Sequence, residues 1–438
     1  MSPRLTLGLV AVVIAGSWVL RYPPAIAIQD EAAYLAQARI FARGELVGTS
    51  PEDATISMLT ARGGVVAKYP PAQAALLAPT QWGPWRLAFI VPLLALALTT
   101  VLVAGAFERD GRSPLWALLV LLHPTLLLYA RTLMSEPLAA LVLTAAFVWS
   151  DPRRPRPLLA GLALGAAPAV RLALVPVAAL FGIVLVYRLW RADRRADMAR
   201  AVAGACVPIF VLVVHNFIAF GSALYLTPAQ TGSFDWATAG ERFLFYALAL
   251  NLAWPLLAVG AALSRHTRAA EVRGLLGFMV VFYGAYYFVD RRFGLPADFV
   301  IGLRFFAPVL PILVIAFAER LHAWTASLPH RAVVLGGAAV VAMAADFAMI
   351  EQHHALLRRV SDRRDRVLTA VRPNEVVVVH GGAAELLSPA WGAPAFTLAS
   401  TAPELVSTVR DRHRAGARVL GVAQGPPADT LVALTPNA

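Results

Sequence analysis

Long apolar runs separated by arginine-rich punctuation organise this chain. A helix that crosses a bilayer needs about 20 predominantly apolar residues. Runs of roughly that kind fall at 5–20, 87–107, 114–130, 133–149, 158–170, 172–187, 201–218, 243–262, 275–289, 305–318 and 332–350. The pattern predicts an all-α polytopic membrane bundle of about 11 transmembrane helices, because only helices or closed barrels satisfy every backbone polar group in lipid. The stretch 158–187 lies between two basic loops. Read as two short helices turning near Pro168 and Arg171, it keeps both loops on one side of the membrane, with local thinning or partial re-entry absorbing the short length.

After about residue 351 the period changes. Residues 353–371 read as a basic amphipathic helix, 375–380 and 418–422 as β-branched strands, and 403–413 as another helix. Two domains follow: a transmembrane domain over 1–350 with a large first external loop at 21–86, and a small C-terminal α/β domain over 351–438. His353–His354 lacks a carboxylate or cysteine at metal-ligand spacing, so a solvated helix face is the better reading. Gly381–Gly382 after a strand is a weak phosphate-loop signal without the lysine of a P-loop.

Composition agrees with the pattern. Hydrophobic residues make up 59% of the 438, charged residues only 15%, and the mean hydropathy is +0.66; soluble domains carry about 25% charged residues. The net charge of +12 is almost wholly arginine, Lys68 being the single lysine. In a membrane protein such an excess marks cytoplasmic loops, not a nucleic-acid surface. Arg153, Arg154 and Arg156, then Arg188, Arg191, Arg194, Arg195 and Arg200, then Arg265, Arg268 and Arg273, and finally Arg320 and Arg331, define those loops. They place the N-terminus in the cytoplasm and the C-terminal domain outside. Residues 1–27 also admit a signal-peptide reading, with Ala25-Ile26-Ala27 as a cleavage site; Asp30 lies outside on either reading. The single cysteine, Cys206, excludes an intrachain disulfide. Arginine- and alanine-rich usage suggests a bacterial plasma membrane.

The chemistry-bearing residues gather on the outer face. Asp30 and Glu31 follow the first span and open an Ala-rich segment with helix propensity. Asp30 and Tyr34 share a helix face, and Glu31 is turned about 100° away. Asp30 reads equally as a helix N-cap and as a catalytic carboxylate. Lys68-Tyr69-Pro70-Pro71 follows: paired prolines start a helix, which leaves the lysine beside a hydrocarbon edge to meet a lipid phosphate. Trp82 and Trp85 read as interfacial anchors. Glu136 sits at the outer tip between two spans, where an acid needs a partner or water; Arg131 is a nearby structural candidate. Arg304, at the outer end of the tenth span, reads as a snorkelling cation or a phosphate clamp. Carboxylates and cations beside an apolar bundle suit a ligand with a phosphate head and a long apolar tail.

These residues resemble a family. Asp30-Glu31 with Tyr34 after the first span, Tyr69-Pro70-Pro71, Ser135-Glu136-Pro137, Phe220-Gly221-Ser222 after Asn216, and Arg304 with Pro308 and Pro311 occur in the order of GT-C membrane glycosyltransferases. That group includes the dolichyl-phosphate-mannose protein mannosyltransferases and the lipid A aminoarabinose transferase. The resemblance covers about residues 5–320. It implies Asp30 as base or acceptor-orienting group, Glu31 as second member of the pair, Glu136 where the family often has Asp, and Lys68 and Arg304 near the donor phosphate, with Tyr34 and Tyr69 lining the substrate site. It implies inverting transfer of a sugar from a polyprenyl-phosphate donor to a hydroxyl of a protein, lipid or glycan acceptor at the outer membrane face. No cofactor or metal is required, although an Asp-Glu pair can hold a divalent ion through oxygen ligands. Two other readings stay open: a transporter or flippase of lipid-linked sugars, which would show inverted repeats or broken midplane helices, and a non-catalytic lipid-binding subunit.

Overall fold

The computed structural model describes residues 2–370 except 27, 51–52, 54–56, 225–233 and 287–293, and beyond 370 only 375–379, 396–398, 414, 418–422 and 431–433. The helices in chain order are α1 Pro3–Leu20, α2 Gln29–Ala42, α3 Pro71–Leu77, α4 Ile90–Arg109, α5 Leu118–Leu121, α6 Pro124–Tyr129, α7 Glu136–Trp149, α8 Pro157–Val170, α9 Val175–Arg191, α10 Arg195–Phe220, α11 Ala239–Leu252, α12 Leu257–Ala262, α13 Ala269–Ala285, α14 Ala297–Gly302, α15 Leu310–Thr325 and α16 Arg331–Ala370. Among the described residues, five helical stretches are long and apolar enough to cross a bilayer: Pro3–Leu20, Trp85–Arg109, Leu172–Arg191, Arg195–Phe220 and Arg331–Arg366. A pair bent by 114°, Ala297–Phe305 with Leu310–Thr325, makes a sixth if taken as one span. Glu136–Trp149 and Pro157–Val170 are apolar but shorter.

The expected runs therefore coincide with helix, but several are interrupted. Residues 114–130 divide into a 3-10 turn, α5 and α6, with His123-Pro124 at the break. Residues 243–262 divide between α11 and α12, where Leu256 takes a left-handed backbone (φ 61°). The apolar stretch 158–187 is two helices, α8 and α9. The break falls at Arg171, in extended geometry, while Pro168 stays inside α8.

Small residues set the packing of α8 on α10. Gly161 and Gly165 lie one turn apart on α8; a Cβ on Gly161 would sit 1.9 Å from the carbonyl oxygen of Ala201, and one on Gly165 would sit 2.2 Å from that of Ala205. Gly204 returns the contact, its Cβ position lying 2.3 Å from the Leu158 oxygen. Small residues four apart permit such backbone contact, and packing of this kind drives helix association where lipid removes the hydrophobic force.

The segment 21–86 is a folded cap with its own core. Trp18, Ile26, Leu35, Leu77, Phe89, Leu133 and Met134 are buried together. Alanines at 32, 33, 36 and 38 give α2 its helix propensity and are themselves buried. A hairpin of β1 (Met58–Ala61) and β2 (Gly64–Ala67) pairs antiparallel. Its Arg62 N–H donates to Ala219 O at 2.8 Å, and its guanidinium fills the space beside Gly221 (φ +73°), so the Phe220-Gly221-Ser222 segment is where the hairpin rests.

The last span and the basic amphipathic segment are one continuous 40-residue helix, α16. No glycine or proline breaks Glu351-Gln352-His353-His354, so the helix runs across residue 350. Beyond it, β3 (Glu375–Val379), β4 (Phe396–Leu398), β5 (Arg418–Val422) and β6 (Leu431–Ala433) form a sheet in the order β4-β3-β5-β6, with β3 parallel to both neighbours and β6 antiparallel to β5. The expected Gly381–Gly382 loop and the helix at 403–413 lie outside the described residues.

Candidate functional site

Asp30 is the second residue of α2, and Ile28, not Asp30, occupies the cap position. The capping expected of Asp30 belongs to Glu31. Glu31 Oε2 accepts from the Ile28 N–H at 2.9 Å, and Oε1 accepts from the Leu133 N–H at 2.8 Å. An acid three residues into a helix reaching back to the cap amide is one half of a capping box. Gln73 Nε2 donates to Leu133 O at 3.0 Å, so both polar groups of the Leu133 backbone are held by the cap. Glu31 is 2% exposed and faces this junction. Asp30, a turn of about 100° away, faces a cavity with Tyr34.

Gln37 places the second segment. Its Nε2 donates to Leu46 O at 3.1 Å and its Oε1 accepts from Ala67 N–H at 2.8 Å, while Lys68 N–H donates to Ser57 O at 3.0 Å. Pro71 then starts α3 at its first position. Held in this way, Tyr69 stacks on Tyr34 with centroids 4.9 Å apart, and Lys68 Nζ lies 5.0 Å from the Tyr69 ring centre. Burial pushes the phenols of Tyr34 and Tyr69 well above the ordinary tyrosine range, and the Asp30 charge pushes Tyr69 further. Lys68 has no ion-pair partner among the described residues.

Arginines supply the rest. The 114° corner between α14 and α15 carries Arg304; Pro308 and Pro311 fix it, since neither offers an N–H to continue the first helix. Arg304 Nη2 lies 3.5 Å from Asp30 Oδ2, and its Nε donates to Glu136 Oε1 at 3.3 Å. Arg171, at the α8–α9 break, donates to the same Glu136 oxygen at 2.6 Å. Both guanidinium carbons lie 5.2 Å from the ring centre of Phe305. Glu136 itself is 0% exposed and stands behind the arginines. Arg131 is not its partner: Arg131 Nη2 donates to Arg21 O at 2.7 Å, and Nε reaches His353 Nδ1 at 3.4 Å.

The structure thus brings Asp30, Tyr34, Lys68, Tyr69 and Arg304 to one cavity, together with Arg171, and leaves Glu31 and Glu136 off its lining. Arg171 was legible only as a turn residue, since nothing in its local sequence points to Glu136. The cavity encloses about 2740 Å³, larger than the roughly 300–1,000 Å³ of small-molecule sites. Beyond the Asp30 end much of its wall is apolar, with Leu118, Leu122, Leu128, Met343 and Met349, and α16 runs along it, adding Asp346. Among the described residues, no three His, Cys, Asp or Glu side chains converge as a metal-binding group.

A helical membrane protein with an acid–arginine cluster capping an apolar cavity is the class these features define, and its fold resembles that of the GT-C glycosyltransferases. No protein-family model and no curated protein sequence matches the chain. Solved structures do match in fold, among them two of one protein. The crystal structure of ArnT from Cupriavidus metallidurans bound to undecaprenyl phosphate superposes with a TM-score of 0.62 at 16% identity, over 95% of this chain and 93% of that one. The same protein in the apo state gives 0.58 at 14% identity, over 96% and 94%.

Proposed function

We propose that the chain transfers a sugar from a polyprenyl-phosphate donor to an acceptor hydroxyl, with the donor's head at the Asp30 end of the cavity and its tail along the apolar wall. The observation that carries this reading is a single cavity that joins Asp30, Lys68, Arg171 and Arg304 to a lipid-sized apolar space. A fold shared with a protein crystallised with undecaprenyl phosphate supports it.

In this reaction Asp30 accepts or orients the proton of the acceptor hydroxyl as its oxygen attacks the anomeric carbon. The carbon–phosphate oxygen bond breaks on the opposite face, with inversion. General-base assistance of this kind contributes about 10²–10⁴-fold. The leaving group is already a stable phosphate anion and needs no proton. Lys68, Arg171 and Arg304 meet its growing charge, the type of electrostatic term that is often largest. Glu136 and Glu31 are positioning residues here: Glu136 aims the two arginines, and Glu31 holds the turn that presents Asp30. The polar end faces the extracytoplasmic side of a bacterial plasma membrane, eleven passes bring the C-terminal α/β domain to that side, and no metal takes part.

The test is turnover by the full chain in lipid discs. A panel of polyprenyl-phosphate sugars is offered with crude envelope acceptors, and release of polyprenyl phosphate is followed. Release from one donor, unchanged by chelator, is the expected result. Donor binding without release from any member would refute transfer and point to a transporter or a binding subunit.

A further inference from the structure

The cavity has a second charged end. The 20 residues of α4 cover about 30 Å at 1.5 Å per residue, starting at the cap and delivering Gly111-Arg112-Ser113 at the far side. α15 starts beside the Arg304 corner and carries His322 in its last turn. α16 starts at Arg331 and reaches His353, beside Arg131, about 33 Å later. The lengths of α4 and α16 therefore put Arg112 and Arg331 roughly 30 Å from the Asp30 end, the thickness of a bilayer's hydrocarbon core, and His322 joins them through its contact with Arg331. All three line the same cavity as Asp30.

The groups there are mutually organised. Arg331 Nη2 lies 2.7 Å from His322 Nδ1, so the imidazole nitrogen accepts and the ring is neutral. The Arg331 guanidinium sits 5.9 Å from the centre of Trp116, which meets the His322 ring edge-on at 6.1 Å. Ser113 Oγ accepts from Leu115 N–H at 3.3 Å, leaving its own proton to donate. Arg112 Nη1 is buried without a hydrogen-bond partner. Among the described residues neither Arg112 nor Arg331 makes a salt bridge, and the carboxylate within electrostatic reach of Arg112 is that of Glu319. Glu319, on the same helix as His322, has Oε2 committed to the Ser264 hydroxyl at 2.7 Å and the Arg265 N–H at 2.8 Å.

Arginines in loops at a membrane surface face water and need no partner. These two are half-buried in a cavity wall, where the buried and unpartnered Nη1 of Arg112 is a costly unmet donor, and a planar guanidinium fits a phosphate through two parallel hydrogen bonds. We propose that this end of the cavity binds the phosphate of a lipid headgroup, whose chains enter the apolar space beside Leu118 and Leu335. The site is separate from the Asp30 end and does not depend on the transferase reading.

The experiment uses the full chain in detergent, with native mass spectrometry and phenylglyoxal footprinting of arginines. The probes are phosphatidylglycerol, phosphatidylcholine, undecaprenyl phosphate and inorganic phosphate. Wild type should retain phosphatidylglycerol, which also protects Arg112 and Arg331 from modification; phosphatidylcholine should do so far less. Arg112→Gln/Arg331→Gln should lose phosphatidylglycerol occupancy about tenfold and keep undecaprenyl phosphate binding within twofold. Protection at these two arginines by undecaprenyl phosphate instead would keep the site and name the carrier as its lipid. Protection by inorganic phosphate as strong as by either lipid would overturn the lipid assignment, and unprotected arginines would overturn the site. The footprint is read on wild type, so it decides the matter even if the double variant fails to fold.

Discussion

Glu136 is the buried pivot of the cluster, and replacing it gives the sharpest stability prediction. Its Oε1 accepts from Arg171 at 2.6 Å and from Arg304 at 3.3 Å, and its side chain is 0% exposed. With charge centres about 4 Å apart and an effective dielectric of about 20, each pairing amounts to about 4 kcal/mol. Desolvation offsets much of that gain, so the intact triad adds little net stability, whereas removing one partner of a buried pair costs about 3–5 kcal/mol. Glu136→Gln keeps the shape but strands Arg171 and leaves Arg304 with Asp30 at 3.5 Å, and the full cost applies at Arg171. Arg171→Met leaves Glu136 paired with Arg304, so it should cost roughly half as much. Glu136→Leu combined with Arg171→Met removes the buried pair as a unit, leaves Arg304 with Asp30, and should recover most of the loss. Thermal inactivation in lipid discs, run at several scan rates because membrane proteins unfold irreversibly, ranks the three. Glu136→Gln as stable as Arg171→Met would refute the pivot.

Three further outcomes are expected. Lys68→Ala should weaken donor binding roughly ten- to a hundredfold, the range of one charge-assisted hydrogen bond of about 1.5–3 kcal/mol, with little change in thermal stability; unaltered donor affinity by calorimetry would remove Lys68 from the phosphate site. Gly161→Leu should part α8 from α10, because its Cβ would fall 1.9 Å from Ala201 O, and expression as folded protein should drop sharply, whereas Gly182→Leu, with open space at its Cβ position, should be tolerated. Tyr69 carries a raised pKa from burial and the Asp30 charge, so its neutral phenol persists above pH 10; the difference in 295 nm absorbance between wild type and Tyr69→Phe should show no step near pH 10, and a step there would contradict the geometry.

The hydrophobic pattern located each long apolar helix among the described residues, because span length is a property of local sequence. It did not show where helices break. The corner at 306–309 and the left-handed turn at Leu256 depend on neighbours that no window of 20 residues contains. The acids were legible by type and not by role. Asp30 and Glu31 differ by one position, and only the placement of Leu133, about a hundred residues on, turns Glu31 into a bracket and leaves Asp30 facing the cavity. Arg131 stands beside Glu136 in sequence, yet the helix start carries the carboxylate toward Arg171 and Arg304. Lys68 and Arg304 were found because cations beside long apolar runs are few on that side. Arg171 was missed as a site residue because its partner is 35 residues away. The close approach of α8 and α10 was written in Gly161 and Gly165 but has no meaning until the partner helix is known.

Substitution of Asp30 tests most directly whether this carboxylate assists sugar transfer from a polyprenyl-phosphate donor. Release of polyprenyl phosphate should be measured for wild type and Asp30→Asn in lipid discs, with donor affinity measured on the same preparations. A fall of about 10²–10⁴-fold in release is expected, with donor affinity little changed. Release near the wild-type rate from Asp30→Asn would contradict it.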